Sequence, residues 1–84
     1  MRKAIAENTL KKLRASLSHA KVTYELTDDN IVFCIRNPAL RKAYYYKIYN
    51  DVIINDLHNG KSSSELFIDI YLAYKKYIRD YILL

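Results

Sequence analysis

The chain has almost none of the residues that cross-link a fold or interrupt regular structure. Its 84 residues include one cysteine, one glycine and one proline. A single cysteine, Cys34, excludes an internal disulfide and a multi-cysteine zinc site. The scarcity of glycine and proline indicates regular elements joined by short connections. The longest apolar runs, Ile31 to Ile35 and Ile70 to Tyr74, fall far short of the ~20 residues that a membrane-spanning helix needs.

The start of the chain also lacks the apolar segment of a signal peptide. Arg2 and Lys3 are followed by Glu7, Asn8 and Thr9, which predicts a cytoplasmic protein. The length predicts one domain, residues 1–84. With 51% hydrophobic and 27% charged residues the composition is that of a globular protein.

Tyrosine, by contrast, is abundant, with nine copies and no tryptophan. Tyrosine combines a large contact area, a polar tip and little rotamer entropy, which suits a binding surface. A codon bias toward A and T would also raise the tyrosine content, together with Ile, Lys and Asn.

The first element is predicted to be a helix over residues 2–19. Its apolar residues recur at helical spacing: Ala6, Leu10, Leu13 and Leu17. A hairpin follows, with alternating faces over Val22 to Thr27 and Ile31 to Arg36, and with a polar turn of Asp28, Asp29 and Asn30.

Residues 38–50 admit two interpretations. Asn37 and Pro38 could begin a helix, since proline is favoured at the first helical position. Yet Ala43 to Tyr49 contains four tyrosines and Ile48, which is the composition of a strand, and a helix there would have no coherent apolar face. We therefore predict a third strand over Ala43 to Tyr49.

Two helices are predicted to complete the chain. A short one runs from Asp51 to Asn59, with Gly60 as its C-cap residue. Ser62 and Glu65 form a capping box that opens the last helix, which continues to about Leu83. One broad face of it is apolar: Leu66, Phe67, Ile70, Tyr71, Tyr74, Tyr77, Ile78 and Tyr81. The predicted fold is α+β, a three-stranded antiparallel sheet with helices packed on one face, in the order α-β-β-β-α-α.

This order resembles two kinds of known protein. It resembles a double-stranded-RNA-binding domain, but the basic cluster that opens that family's last helix is replaced here by Ser62, Ser63, Ser64 and Glu65, so that function is not carried over. It is also similar, in architecture and size alone, to some small phage anti-CRISPR proteins, which block a nuclease complex.

No catalytic constellation is found, and the chain is predicted not to be an enzyme, with no cofactor and no metal. His19 and His58 lie 39 positions apart near predicted helix ends, where a cation suits the helix dipole. Cys34 in mid-strand is a packing residue. Gly60, Lys61 and Ser62 resemble the end of a phosphate loop, but its upstream glycine would fall at Asn55.

Two surfaces could bind a partner. The first is basic: residues 1–21 carry six basic side chains against Glu7, which accounts for the whole net charge of +5. The alternative interpretation, a solvated helix face that keeps a small protein soluble, is slightly favoured. The second is the sheet face turned away from the helices, predicted to present Thr23, Glu25, Val32, Cys34, Arg36, Tyr45, Lys47 and Tyr49. A third, smaller feature is Ile68 and Leu72 on the charged side of the last helix, which could form a dimer seam.

These observations predict a small interaction protein, of a kind that phages and mobile elements encode, which modulates or inhibits a larger protein or nucleoprotein complex by occupying a surface. The residues expected to bind the partner are Arg36, Tyr45, Lys47 and Tyr49 on the sheet, with Lys11 and Arg14 on the first helix. Direct nucleic-acid binding through the first helix and the sheet is one alternative. A homodimeric structural subunit is another, so both a monomer and a homodimer stay open.

Overall fold

The computed structural model describes residues 2–58, 60 and 63–83. Its elements follow the order α-β-β-β-α-α: α1 (Arg2–Ser16), β1 (Lys21–Leu26), β2 (Asn30–Arg36), β3 (Tyr44–Tyr49), α2 (Asn50–His58) and α3 (Ser63–Leu83). The predicted α+β architecture is confirmed, including the third strand that the sequence left in competition with a helix.

The three strands form one antiparallel sheet in the order β1-β2-β3, so β2 is central and β1 and β3 are the two edges. In the β1–β2 hairpin Thr23 lies opposite Cys34, and in the β2–β3 pair Cys34 lies opposite Tyr45. Because side chains alternate along a strand, these registers align one apolar set on the inner face of the sheet.

The segment before β3 makes a single turn where a helix was the alternative. The Asn37 side chain accepts a hydrogen bond from the Ala39 amide (3.0 Å), and the Leu40 amide donates to the Asn37 carbonyl (2.9 Å). Beyond Leu40 the tyrosine-rich run extends, since Tyr44, Tyr46 and Ile48 can then pack on the inner face.

The helix ends differ from the predicted ones by a few residues. α1 ends at Ser16 rather than His19, because the Ala20 amide closes a tight turn on the Leu17 carbonyl (3.1 Å) that leads directly into β1. Gly60 has a φ of 79°, the left-handed conformation expected of a C-cap glycine. Asn59 and Ser62, at the predicted end of the short helix and in the predicted capping box, lie outside the described residues.

α1 and α3 cover the inner face of the sheet. The core contains side chains from every strand and every helix: Ala6, Leu10, Leu13, Leu17, Val22, Ile31, Phe33, Ile35, Ile48, Ile53, Ile70 and Tyr74. Most of the predicted apolar face of α3 packs against this core, and Tyr81 at its end is exposed. None of the helices in the described part of the chain combines the length and apolarity that a bilayer span requires.

Candidate interaction face of the sheet

The side of the sheet opposite the helices is the surface that the sequence singled out, and we call it the outer face. Alternation along the three strands gives its members: Lys21, Thr23 and Glu25 on β1, Val32, Cys34 and Arg36 on β2, and Tyr45, Lys47 and Tyr49 on β3. Lys21 extends the predicted set. The predicted strand began at Val22, and one more residue of the same alternation would have included it.

The outer face has an apolar and aromatic middle. Val32 and Cys34 lie on the central strand and are half-buried between their neighbours. Tyr45, opposite Cys34, keeps 59% of its surface exposed, and Tyr49 keeps 53%. Two large aromatic side chains are therefore presented to solvent on the same edge strand, four residues apart.

Charged side chains of both signs surround this middle. Lys21 lies opposite Arg36 at one corner of the sheet. Val32 has Glu25 on one side and Lys47 on the other, so an acid and a base flank the central strand. All four charged residues are exposed. The four residues predicted for the sheet, Arg36, Tyr45, Lys47 and Tyr49, thus share one face.

The two residues predicted on α1 lie elsewhere. α1 packs on the inner side of the sheet beside β1, whereas Tyr45 and Tyr49 belong to β3 at the other edge. The Arg14 guanidinium donates to the Val22 carbonyl from Nε (3.2 Å) and Nη2 (3.0 Å), so this side chain has a structural role. Lys11 is exposed.

A second arginine of the basic segment also holds the fold together. Nη1 of Arg2 donates to the carbonyl of Thr27 (2.6 Å) and to Oδ1 of Asn50 (3.2 Å). It thereby ties the start of α1 to the hairpin turn and to the start of α2. Part of the positive charge in residues 1–21 is consequently fixed to main-chain carbonyls, which the residue count alone did not reveal.

The predicted dimer seam on α3 is exposed. Ile68 and Leu72 lie one helical turn apart and are 48% and 59% exposed. Beside them the Lys75 ammonium lies 5.4 Å from the centroid of the Tyr71 ring, a cation–π contact.

Two surface depressions accompany these features. One, of about 490 Å³, lies at the end of α1 and is lined by Arg14, His19, Lys21 and Pro38 among others. The other, of about 220 Å³, lies beside β3 and is lined by Ile48, Tyr49, Val52 and Leu66 among others. Sequence reasoning did not find the second one, because it forms only where β3, α2 and α3 pack together.

Within residues 2–58, 60 and 63–83, no three His, Cys, Asp or Glu side chains come together as ligands for a metal ion. Comparison with known proteins finds no matching family model, no matching curated protein and no matching solved structure.

Proposed function

We propose that the chain is a small, non-catalytic interaction protein that binds a protein partner, free or within a nucleoprotein complex, through the outer face, and modulates that partner by covering part of its surface. The observation that carries the proposal is the exposure of Tyr45 and Tyr49 on a sheet face that no described element covers. Their rings offer on the order of 100 Å² each for burial against a partner.

The arrangement of the outer face favours a protein partner. Protein interfaces concentrate energy in a few aromatic and arginine side chains around a desolvated centre, with charged residues at the rim. Val32 and Cys34 supply the centre, Tyr45 and Tyr49 the aromatic anchors, and Arg36 a rim arginine.

Direct nucleic-acid binding is a second candidate, favoured by one corner of the molecule. Lys21 lies opposite Arg36, and Arg14 and His19 line the depression beside Lys21. Glu25 on the outer face would repel a polyanion, and the guanidinium groups of Arg2 and Arg14 donate their hydrogen bonds to main-chain carbonyls of the fold. We therefore rank this candidate second. It predicts affinity that falls steeply with salt.

A pull-down from a lysate of the source cells, with and without nuclease, tests the proposal. The double variant Tyr45→Ala, Tyr49→Ala is expected to lose partner capture at nearly unchanged stability. The matched control is Ile54→Ala with Leu72→Ala, two side chains that are 57% and 59% exposed away from the outer face and should be dispensable.

The outcomes separate the candidates. Capture that persists after nuclease and disappears only in the tyrosine variant supports protein binding. Capture abolished by nuclease supports the nucleic-acid candidate instead. If the control variant loses capture while the tyrosine variant keeps it, the interface lies on α2 or α3 and not on the outer face. Light scattering then tests whether Ile68 and Leu72 join two copies.

A further inference from the structure

The two edges of the sheet are not equivalent. The main-chain amide of Asn50 donates to the Asp29 carbonyl (2.9 Å). This bond continues the β2–β3 register and shows which residues of β3 exchange hydrogen bonds with β2. In an antiparallel pair the residues that exchange hydrogen bonds alternate with those that do not. The even-numbered residues of β3 therefore bond to β2. Tyr45, Lys47 and Tyr49 direct their main-chain N–H groups to the free edge, and Tyr45 and Lys47 also direct their carbonyls there.

The outer edge of β1 is hydrogen-bonded to α1. The Thr27 amide donates to the Asn30 carbonyl (2.9 Å). By the same reasoning, the even-numbered residues of β1 direct their main-chain N–H and C=O groups away from β2, toward the outer edge. The outward carbonyl of Val22 accepts the two Arg14 hydrogen bonds, and the Tyr24 hydroxyl lies 3.4 Å from the Glu7 carboxylate on α1. Helix α1 thus covers the part of this edge at Val22 and Tyr24, and covering an edge strand with a helix is a common protection.

The free edge of β3 has no such protection. Within the described part of the chain, the outward N–H groups of Tyr45, Lys47 and Tyr49 and the outward carbonyls of Tyr45 and Lys47 have no hydrogen-bond partner, while the Tyr49 carbonyl accepts the first hydrogen bond of α2. On its inner side this edge borders the 220 Å³ depression, whose lining includes the apolar side chains of Val52 and Leu66. A row of unmet hydrogen-bonding groups beside a recess with apolar side chains in its lining suits an added β-strand.

We propose that the free edge of β3 binds an extended segment of the protein partner as a fourth strand of the sheet. The inference rests on the proposed function and names its binding mode. Alternate side chains of the added strand would enter the recess, where contact with Val52 and Leu66 favours apolar residues and Asp69 disfavours acidic ones. The intervening side chains would lie beside Tyr45, Lys47 and Tyr49, where the Lys47 ammonium selects an acidic residue.

The charge of β3 argues against a second copy of the chain as the occupant. Two identical strands meet antiparallel about a twofold axis, and directly opposed residues must face the same side of the sheet. The one register that engages Tyr45, Lys47 and Tyr49 on both copies pairs Tyr45 with Tyr49 and sets Lys47 opposite Lys47. Like charges directly opposite are destabilising, and each copy carries a net charge of +5.

The test uses a synthetic seven-residue peptide of alternating valine and glutamate, capped at both ends, and amide hydrogen exchange of the whole chain by NMR. Binding is expected to slow exchange at the amides of Tyr45, Lys47 and Tyr49. The decisive variant is Lys47→Pro, which removes an edge N–H without removing a β2–β3 hydrogen bond, at a position where an edge strand tolerates proline. Its control is Lys47→Ala, which loses the same charge and keeps the N–H.

Lys47→Pro should weaken peptide binding about five-fold or more relative to Lys47→Ala. Equal affinities, or binding that shifts the tyrosine ring signals without slowing the edge amides, overturn the fourth-strand proposal and leave the proposed function intact. A free chain that is dimeric and already protected at these amides overturns it as well. If Lys47→Pro does not fold, Tyr49→Pro against Tyr49→Ala makes the same comparison at the end of the strand.

The proposed function fails separately. The Tyr45→Ala, Tyr49→Ala variant keeps every edge N–H but loses two side chains beside the added strand. It should therefore bind the peptide more weakly, and at saturating peptide its edge amides should still be protected. Its capture of the natural partner is the readout of the proposed function alone.

Discussion

Replacing Thr9 with valine is expected to stabilise the protein. Thr9 lies in α1 with none of its surface exposed, and its hydroxyl has no hydrogen-bond partner among the described residues. A buried polar group without a partner costs ~1–3 kcal/mol. Valine puts a methyl group in place of the hydroxyl, keeps the shape and has a similar helix propensity. The free energy of unfolding should therefore rise by about 1 kcal/mol, at the low end of that range.

Urea denaturation measures this directly. The midpoint should move to higher urea at an unchanged slope, and the melting temperature should rise by roughly 4–8 °C for a domain of this size. Thr9→Ser is the control, because it keeps the unbonded hydroxyl and removes a buried methyl group, at a loss of about 1 kcal/mol. A Thr9→Val protein less stable than the wild type would refute the reasoning, since it would mean that the hydroxyl is hydrogen-bonded in solution.

Two further predictions concern the contacts that support the sheet. Arg14→Met should lower the free energy of unfolding, measured by urea denaturation, by about 1 kcal/mol, because the Val22 carbonyl loses its two guanidinium donors. The control Lys11→Met, at an exposed position, should change it by less than about 0.5 kcal/mol. Equal effects of the two variants would contradict the structural role of Arg14. Burial, and then the neighbouring Tyr46 and Tyr77, raise the pKa of Tyr44 above its ordinary value of 10.0. As the pH rises, Tyr44 loses its proton in the unfolded chain before it does so in the folded protein. The contribution of protonated Tyr44 to stability is therefore present in full below pH 10.0 and is lost as the pH rises through the higher folded-state pKa. Tyr44→Phe should make stability less sensitive to alkaline pH, and an unchanged alkaline profile would refute this.

The architecture could be predicted because local patterns and packing agree. The alternation in Val22 to Thr27 and Ile31 to Arg36 assigns the inner and outer faces of the hairpin, and the structure has the same assignment. The tyrosine-rich run before Tyr49 was ambiguous by periodicity. The high β-propensity of its residues predicted the strand correctly, because an extended strand buries Ile48 and the inner tyrosines against α3.

The roles of individual charged residues could not be predicted in the same way. From the sequence, Arg2 and Arg14 were members of a basic surface, and Arg14 was expected to bind the partner. Their hydrogen-bond partners lie 8 and 25 or more residues away along the chain, and only the packing of α1 beside β1 brings them together. The unsatisfied Thr9 hydroxyl is likewise a product of packing, since the sequence places Thr9 beside the apolar stripe but gives no sign of what surrounds it.

The openness of the β3 edge also depends on information absent from the sequence pattern. Alternation gives the side-chain faces of a strand but not which main-chain groups point outward. That phase follows from the pairing register and from single hydrogen bonds such as Asn50 to Asp29. Tyr45, Lys47 and Tyr49 combine outward main-chain groups with outer-face side chains, so the candidate face and the free edge share the same three residues.

Hydroxyl-radical footprinting of the chain, alone and with its captured partner, tests most directly whether the outer face is the binding surface. Tyr45 and Tyr49 should lose most of their reactivity in the complex, while Tyr81, 39% exposed on α3, should keep its own. Protection of Tyr81 with Tyr45 and Tyr49 still reactive would contradict the account.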